Sequence, residues 1–286
     1  MKIGIFDSGL GGLIMTKALA EALPQYDHAY LGDTANLPYG ARSPEQVRAL
    51  TTRAVCWLLR EQDCALVVIA CNTATIAALD YLQNEYLPAN FPQRRIFGVV
   101  SPTMEAVAAG GFSRVGLIAT EGTVKSGAYE KELHKISPNI SVKSLATPLL
   151  VPLVENGGDK YAPAVIADYM EPFADAQALV LGCTHYPHYK KLFAQQLPRA
   201  KIISQDEILP AALSAYLAEH GDIEANLSRG GGRFFGATDV GGSYSAQAQR
   251  IFGGNIDIAH VVIPEPLSVQ EAAQGAAQKT MQNSLM

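Results

Sequence analysis

The chain of 286 residues has only four cysteines, Cys56, Cys64, Cys71 and Cys183, and no two of them form a C-x-x-C pair. Four thiols in so long a chain do not make a disulfide framework. The missing pairs exclude the common structural zinc site. Charge is also scarce: charged residues make up 17 % and hydrophobic residues 48 %, the reverse of a disordered chain. Positive charge does not prevail, since the net charge is −5, so the basic footprint of a nucleic-acid binder is missing. No apolar run reaches the roughly 18 residues of a membrane span. After Lys2 the run Ile3-Gly4-Ile5-Phe6 stops at Asp7, far short of the apolar stretch of a secretory leader. Glycine and proline are too few for a collagen-like or low-complexity chain. These absences lead us to expect a soluble protein of a reducing compartment, with two domains on a prior of about 150 residues each.

What is present is alternation. Short apolar runs at 2–6, 28–31, 65–70, 96–100, 115–119, 178–181, 202–203, 233–235 and 260–263 each end in small or polar residues. Between them lie longer amphipathic stretches at 13–23, 44–60 and 73–86. Ser43-Pro44-Glu45-Gln46 opens the second of these with an N-cap, a proline at the first helical position and the Gln of a capping box. Continuous apolar strands alternating with helices predict an α/β fold with mainly parallel sheets flanked by helices. In such sheets ligand groups come from the carboxyl ends of the strands. The polar residues after each run therefore mark the candidate site.

The sequence also repeats itself. The segment 2–8 aligns with 114–120, and 66–71 aligns with 178–183, both at an offset of 112 residues. Each half thus holds a first strand and a later strand that leads to a cysteine, Cys71 or Cys183. Two similar α/β domains facing each other would enclose a cleft, and each would offer one thiol to it. A thiol is lowered in pKa at a helix N-terminus, so both are read as groups that alternate between base and acid near neutral pH. Two opposed acid/base groups suit stereoinversion, one removing a proton and the other returning one to the opposite face.

Asp7, after the first strand, stands where it would polarise Cys71 or cap the following helix. His185, two residues after Cys183, stands where it would polarise that thiol. Cys56 and Cys64, among Val55, Trp57 and Leu66, read as packing residues. His185 and His188 flank Pro187 with no carboxylate cluster, which argues against a metal site. Gly9-Leu10-Gly11-Gly12 could cradle an anion at a helix start, but it is not the G-x-G-x-x-G dinucleotide pattern. Asp7–Gly12, Pro38–Gly40, Cys71–Thr75 and Cys183–Pro187 hold no Lys or Arg. An acidic ligand there would rest on backbone, hydroxyl and amide donors.

At these motifs the chain resembles the cofactor-independent aspartate/glutamate racemases, and within them the glutamate racemases. The resemblance rests on Phe6-Asp7-Ser8-Gly9-Leu10-Gly11-Gly12, Gly32-Asp33-Thr34-Ala35-Asn36-Leu37-Pro38-Tyr39-Gly40, Ala70-Cys71-Asn72-Thr73-Ala74-Thr75 and Ala119-Thr120-Glu121-Gly122-Thr123-Val124. It extends over Val151-Pro152-Leu153-Val154-Glu155 and Leu181-Gly182-Cys183-Thr184-His185-Tyr186-Pro187. It implies two similar domains with the active site between them, 1–97 plus 211–286 and 98–210. It implies Cys71 and Cys183 as the bases for D- and L-glutamate, assisted by Asp7 and His185, with no cofactor. Asp7, Ser8, Tyr39, Gly40, Asn72, Thr73, Thr184 and His185 would bind substrate, and Glu155 would be an accessory acid near Cys183. It further implies a cytoplasmic homodimer that supplies D-glutamate for peptidoglycan.

Aspartate as substrate, a non-catalytic amino-acid-binding protein and restraint of DNA gyrase are the alternatives. His185 favours glutamate, because related aspartate racemases tend to carry an acidic residue beside the second cysteine. No motif speaks for gyrase. Ile203-Ser204-Gln205, where the family usually has an acidic residue, and His188-Tyr189 depart from the pattern, both expected to lie clear of the matched chemistry. The tail 267–286 reads as a terminal helix.

Overall fold

The computed structural model describes residues 1–242 and 244–264, so the reading of 267–286 as a helix lies outside the described residues. Among the described residues ten strands form two sheets. The first has six strands in the order β10-β9-β2-β1-β3-β4, and the second has four in the order β6-β5-β7-β8. The first comprises β1 (Lys2–Asp7), β2 (His28–Gly32), β3 (Cys64–Ile69), β4 (Arg95–Gly98), β9 (Arg233–Ala237) and β10 (Ala259–His260). The second comprises β5 (Arg114–Ala119), β6 (Ser141–Ala146), β7 (Ala178–Gly182) and β8 (Lys201–Ser204). Every strand pairing among the described residues is parallel. The second sheet is therefore built from chain that runs between β4 and β9 of the first.

Burial explains why these runs become strands. β2, β3 and β7 are buried along their whole length, as strands covered by helices on both faces must be. β6 was not foreseen. Its sequence Ser141-Val142-Lys143-Ser144-Leu145-Ala146 alternates and stays half exposed at the sheet edge, so it lacks a continuous apolar run. The run at 96–100 is shorter than expected: β4 ends at Gly98, and a helix begins at Val100.

Helix α1 spans Gly11–Ala22, α2 Pro44–Glu61 and α3 Asn72–Tyr81. Ser43 caps α2, its Oγ accepting from Gln46 N–H at 3.3 Å. The apolar face Val47, Thr51, Ala54, Val55, Leu58 and Leu59 packs inward. The stretch 73–86, expected as one helix, is α3 followed by a wider turn in which Leu87 N–H donates to Leu82 C=O. Pro88, with no N–H to offer, follows directly.

The repeat is present in the strand register. β1 pairs with β3 as Ile3↔Leu66, Gly4↔Val67, Ile5↔Val68 and Phe6↔Ile69. β5 pairs with β7 as Val115↔Ala178, Gly116↔Leu179, Leu117↔Val180 and Ile118↔Leu181. Each pair of the second set lies 112 residues beyond its counterpart in the first. Gly4 and Gly116 correspond, and both need the space. A Cβ on Gly4 would sit 3.1 Å from Val67, and one on Gly116 3.0 Å from Leu179.

Candidate active site

The carboxyl ends of β1, β3, β5, β6 and β7 converge on one cavity of about 720 Å³, its open mouth included, within the usual range for small-ligand sites. Ser8 follows β1, Cys71 to Thr73 follow β3, Thr120 follows β5, Thr147 follows β6, and Cys183 to His185 follow β7; all of them line it. Tyr39 and Gly40 line it from the loop after β2. Nine of the residues singled out in the sequence therefore surround one space: Ser8, Tyr39, Gly40, Cys71, Asn72, Thr73, Cys183, Thr184 and His185. Asp7 and Glu155 do not line it but stand behind residues that do. Leu37, Pro148, Val151 and Pro152 supply apolar wall that sequence reasoning missed. They carry no reactive group; Leu37, Val151 and Pro152 lie within the matched motifs, which is their only signal, and Pro148 lies outside them. Cys64 lies in the core and Cys56 is half buried.

The two thiols have different neighbours. Cys71 is the residue before α3, and its Sγ lies 3.6 Å from Ser8 Oγ. Its hydrogen-bond partner is thus Ser8 and not Asp7. The expected lowering at the helix start does not hold for Cys71. Burial pushes this thiol up to about 12, and the charge of Asp7 adds to the rise, while Ala74 N–H and Ser8 oppose it. Cys183 is followed by a turn, not by a helix start, and its Sγ lies 3.6 Å from His185 Nδ1.

His185 is buried and sits between Cys183 and Glu155, its Nε2 2.5 Å from Glu155 Oε1. Burial lowers its pKa, but the bonds and charges of Cys183 and Glu155 together hold it well above the ordinary value. As imidazolium it donates from Nδ1 towards Cys183 and from Nε2 to Glu155. Gly11 N also lies 3.2 Å from Nε2, a contact that Nε2 cannot accept while it donates to Glu155.

The glycine run does not cradle an external anion. Asp7 Oδ2 accepts from Gly9 N–H at 3.1 Å and Gly12 N–H at 3.0 Å. Leu10 N–H donates to Glu155 Oε1 at 2.9 Å. The N–H groups of Gly9, Leu10 and Gly12 at the start of α1 are thus taken by the protein's own carboxylates. Glycine is needed here for close approach: a Cβ on Gly12 would lie 2.2 Å from Asp7 Cβ, and one on Gly11 2.4 Å from Thr184 Oγ1. Asp7 Oδ1 accepts from the Thr184 hydroxyl at 3.2 Å. Burial pushes Asp7 up to about 6, against the pull of His185.

Tyr39 donates to Asp33 Oδ2 at 2.6 Å, which leaves its oxygen free to accept. Thr73 Oγ1 meets Thr120 Oγ1 at 2.9 Å, across the two sheets. His188 turns to Asp159 at 3.1 Å, away from His185. Among the described residues no three ligating side chains form a metal-binding group. Of the two departures, Gln205 does reach the matched residues: it bonds the Asn72 amide in both directions. The expectation that it lies clear of them is corrected, because its long side chain spans from the start of a helix to the end of β3.

The model of the Asp/Glu/Hydantoin racemase family matches residues 3–209. The chain is 36 % identical to a glutamate racemase of Geobacter metallireducens over 260 residues, covering 89 % of this chain and 93 % of that one. It is 36 % identical to a glutamate racemase of Shouchella clausii, covering 94 % and 96 %. Among solved structures, glutamate racemase from Francisella tularensis in complex with D-glutamate superposes with a TM-score of 0.81 at 30 % identity, covering 91 % of this chain and 97 % of that one. The enzyme from Thermus thermophilus in complex with β-chloro-D-alanine gives 0.78 at 35 %, covering 93 % and 98 %.

Proposed function

The chain belongs to the Asp/Glu/Hydantoin racemase family, and on that premise we propose that it interconverts L- and D-glutamate without a cofactor, Cys71 and Cys183 being the two acid/base groups. The observation that carries this reading is that equivalent strands of two sheets, β3 and β7, deliver one thiol each to a single cavity. The curated relatives are glutamate racemases, and the Francisella tularensis enzyme was solved with D-glutamate.

In the proposed reaction one sulfur, as thiolate, takes the α-proton. The electron pair left on the α-carbon spreads into the α-carboxylate. The opposite thiol then returns its proton to the other face, so that one turnover exchanges the protonation states of the two sulfurs. Cys71 serves D-glutamate and Cys183 L-glutamate. Asp7 acts beside Cys71, and His185, backed by Glu155, beside Cys183. Ser8, Tyr39, Gly40, Asn72, Thr73 and Thr184 hold the substrate. The proposal includes the division into 1–97 plus 211–286 and 98–210, a cytoplasmic homodimer, and supply of D-glutamate for peptidoglycan.

The test is incubation with L-glutamate in deuterated buffer without added cofactor, following optical rotation and α-proton exchange together, with L-aspartate in parallel. Loss of rotation with deuterium in the inverted product is expected. Activity on aspartate alone would replace the substrate and keep the chemistry. Cys71→Ser and Cys183→Ser should each abolish racemisation and leave at most one-sided exchange. Full racemisation by either variant would end the two-base reading.

A further inference from the structure

Asn72 lines the cavity with its amide already engaged on the side away from it. Its Nδ2 donates to Gln205 Oε1 at 2.8 Å. Its Oδ1 accepts from the Tyr129 hydroxyl and from Gln205 Nε2, the latter at 2.9 Å. All three side chains are buried. Gln205 opens the helix Gln205–Glu219 directly after β8, and Tyr129 lies in the helix Ala128–Ile136. The network therefore joins the end of β3 in the first sheet to elements around the second.

An amide can face either way, and here its direction is imposed from outside. The Thr103 hydroxyl donates to Val99 C=O at 2.6 Å. A hydroxyl has one hydrogen, so towards Gln205, at 3.2 Å, Thr103 can only accept. The Gln205 atom on that side must be Nε2. Nε2 has two hydrogens: one goes to Thr103 and the other to Asn72 Oδ1, with the Tyr129 oxygen 3.0 Å from the same nitrogen. Burial pushes the phenol up and keeps it protonated, and its proton goes to Asn72 Oδ1. Gln205 Oε1 is left to receive Asn72 Nδ2. The hydrogen bonds thus have one sense from the Val99 carbonyl to the cavity.

An asparagine amide has two lone pairs and two N–H groups. At Asn72 both lone pairs have donors and one N–H is spent on Gln205. What remains is one N–H. We infer that Gln205 is a positioning residue that makes Asn72 present an N–H donor, and not a carbonyl, to the ligand in the cavity, and so selects a carboxylate there. The cavity wall has no Lys or Arg, and His185 spends both its N–H groups on Cys183 and Glu155, so neutral donors of fixed direction must do this work. The inference rests on the cavity being the glutamate site.

The test is L-glutamate binding by titration calorimetry at pH 5.5 to 8.5, with racemisation kinetics alongside. Gln205→Leu frees the Asn72 amide to turn. It should weaken binding about tenfold, as loss of one hydrogen bond to a charged group does, and raise KM more than it lowers kcat. Gln205→Glu carries the sharper readout. When protonated, the introduced carboxyl keeps both links to Asn72, one oxygen accepting from Nδ2 and its single O–H donating to Oδ1, and gives up only the donor to Thr103. When ionised it only accepts and withdraws the donor from Asn72 Oδ1. Burial raises its pKa, so this variant should bind like the wild type at pH 5.5 and fall behind it as the pH rises.

Wild-type affinity in Gln205→Leu, or a Gln205→Glu profile parallel to the wild type, would overturn the inference. Should Gln205→Leu fail to fold by circular dichroism, the Gln205→Glu profile decides alone. Wild-type protein that binds glutamate without racemising it would refute the proposed reaction and leave this binding test readable.

Discussion

Asp7 shows how one side chain can be costly and necessary at once. It is fully buried with its oxygens committed to Gly9, Gly12 and Thr184, yet burial still raises it from 3.8 to about 6. A carboxylate whose folded pKa is raised binds its proton more tightly in the folded state. Stability from this group therefore falls as the pH rises from about 4 to about 6, by roughly 3 kcal/mol in all. Asp7→Asn keeps the acceptor for the glycine N–H groups and cannot ionise. The stability difference between this variant and the wild type, measured by urea unfolding, should shift in favour of the variant between pH 4 and pH 7. A constant difference would mean that Asp7 ionises as freely in the folded chain as in the unfolded one. Cys71 carries a related lesson. Its place before α3 was legible in the sequence, but its raised pKa was not, because that depends on burial and on a carboxylate 64 residues away.

At the scale of elements, the strand register is the sharpest consequence of the repeat. Gly116 lies in β5 where a Cβ would come 2.6 Å from Phe173 and 3.0 Å from Leu179. Gly4, its counterpart in β1, would meet Cys64 at 3.0 Å and Val67 at 3.1 Å. Overpacking a core by one methyl typically costs about 1–3 kcal/mol. Gly116→Ala should fall in that range and exceed Gly4→Ala, because an aromatic ring yields less than a thiol; equilibrium unfolding of the two variants checks the order. Apolar runs marked nearly every strand. β6 escaped because an edge strand needs only one inward face.

At the scale of the whole molecule, the two sheets are tied together beside the cavity. Leu10 N–H, at the start of α1, and His185, after β7, share Glu155 Oε1. The Thr184 hydroxyl donates to Asp7. His185 is raised above its ordinary value by Cys183 and Glu155. A histidine raised on folding adds stability that is fully present below its unfolded pKa of about 6.5 and lost as the pH climbs through the folded one. Glu155→Gln removes part of that gain. It should therefore destabilise more at pH 6 than at pH 9, and chemical unfolding at both values tests it. An equal loss at the two values would show that His185 is neutral in the fold.

The sequence alone determined the alternating α/β order, the helix start at Ser43, the 112-residue repeat and the residues that gather at the strand ends, because these follow from local periodicity and from one chain compared with itself. The tertiary structure decided what those residues do to each other. It turned the glycine run from an anion cradle into a close approach to Asp7, gave Cys71 to Ser8, and brought Gln205 against Asn72 across 133 positions of chain. Burial, charge and hydrogen-bond direction are properties of neighbours in space, and parallel sheets bring together neighbours that lie far apart along the chain.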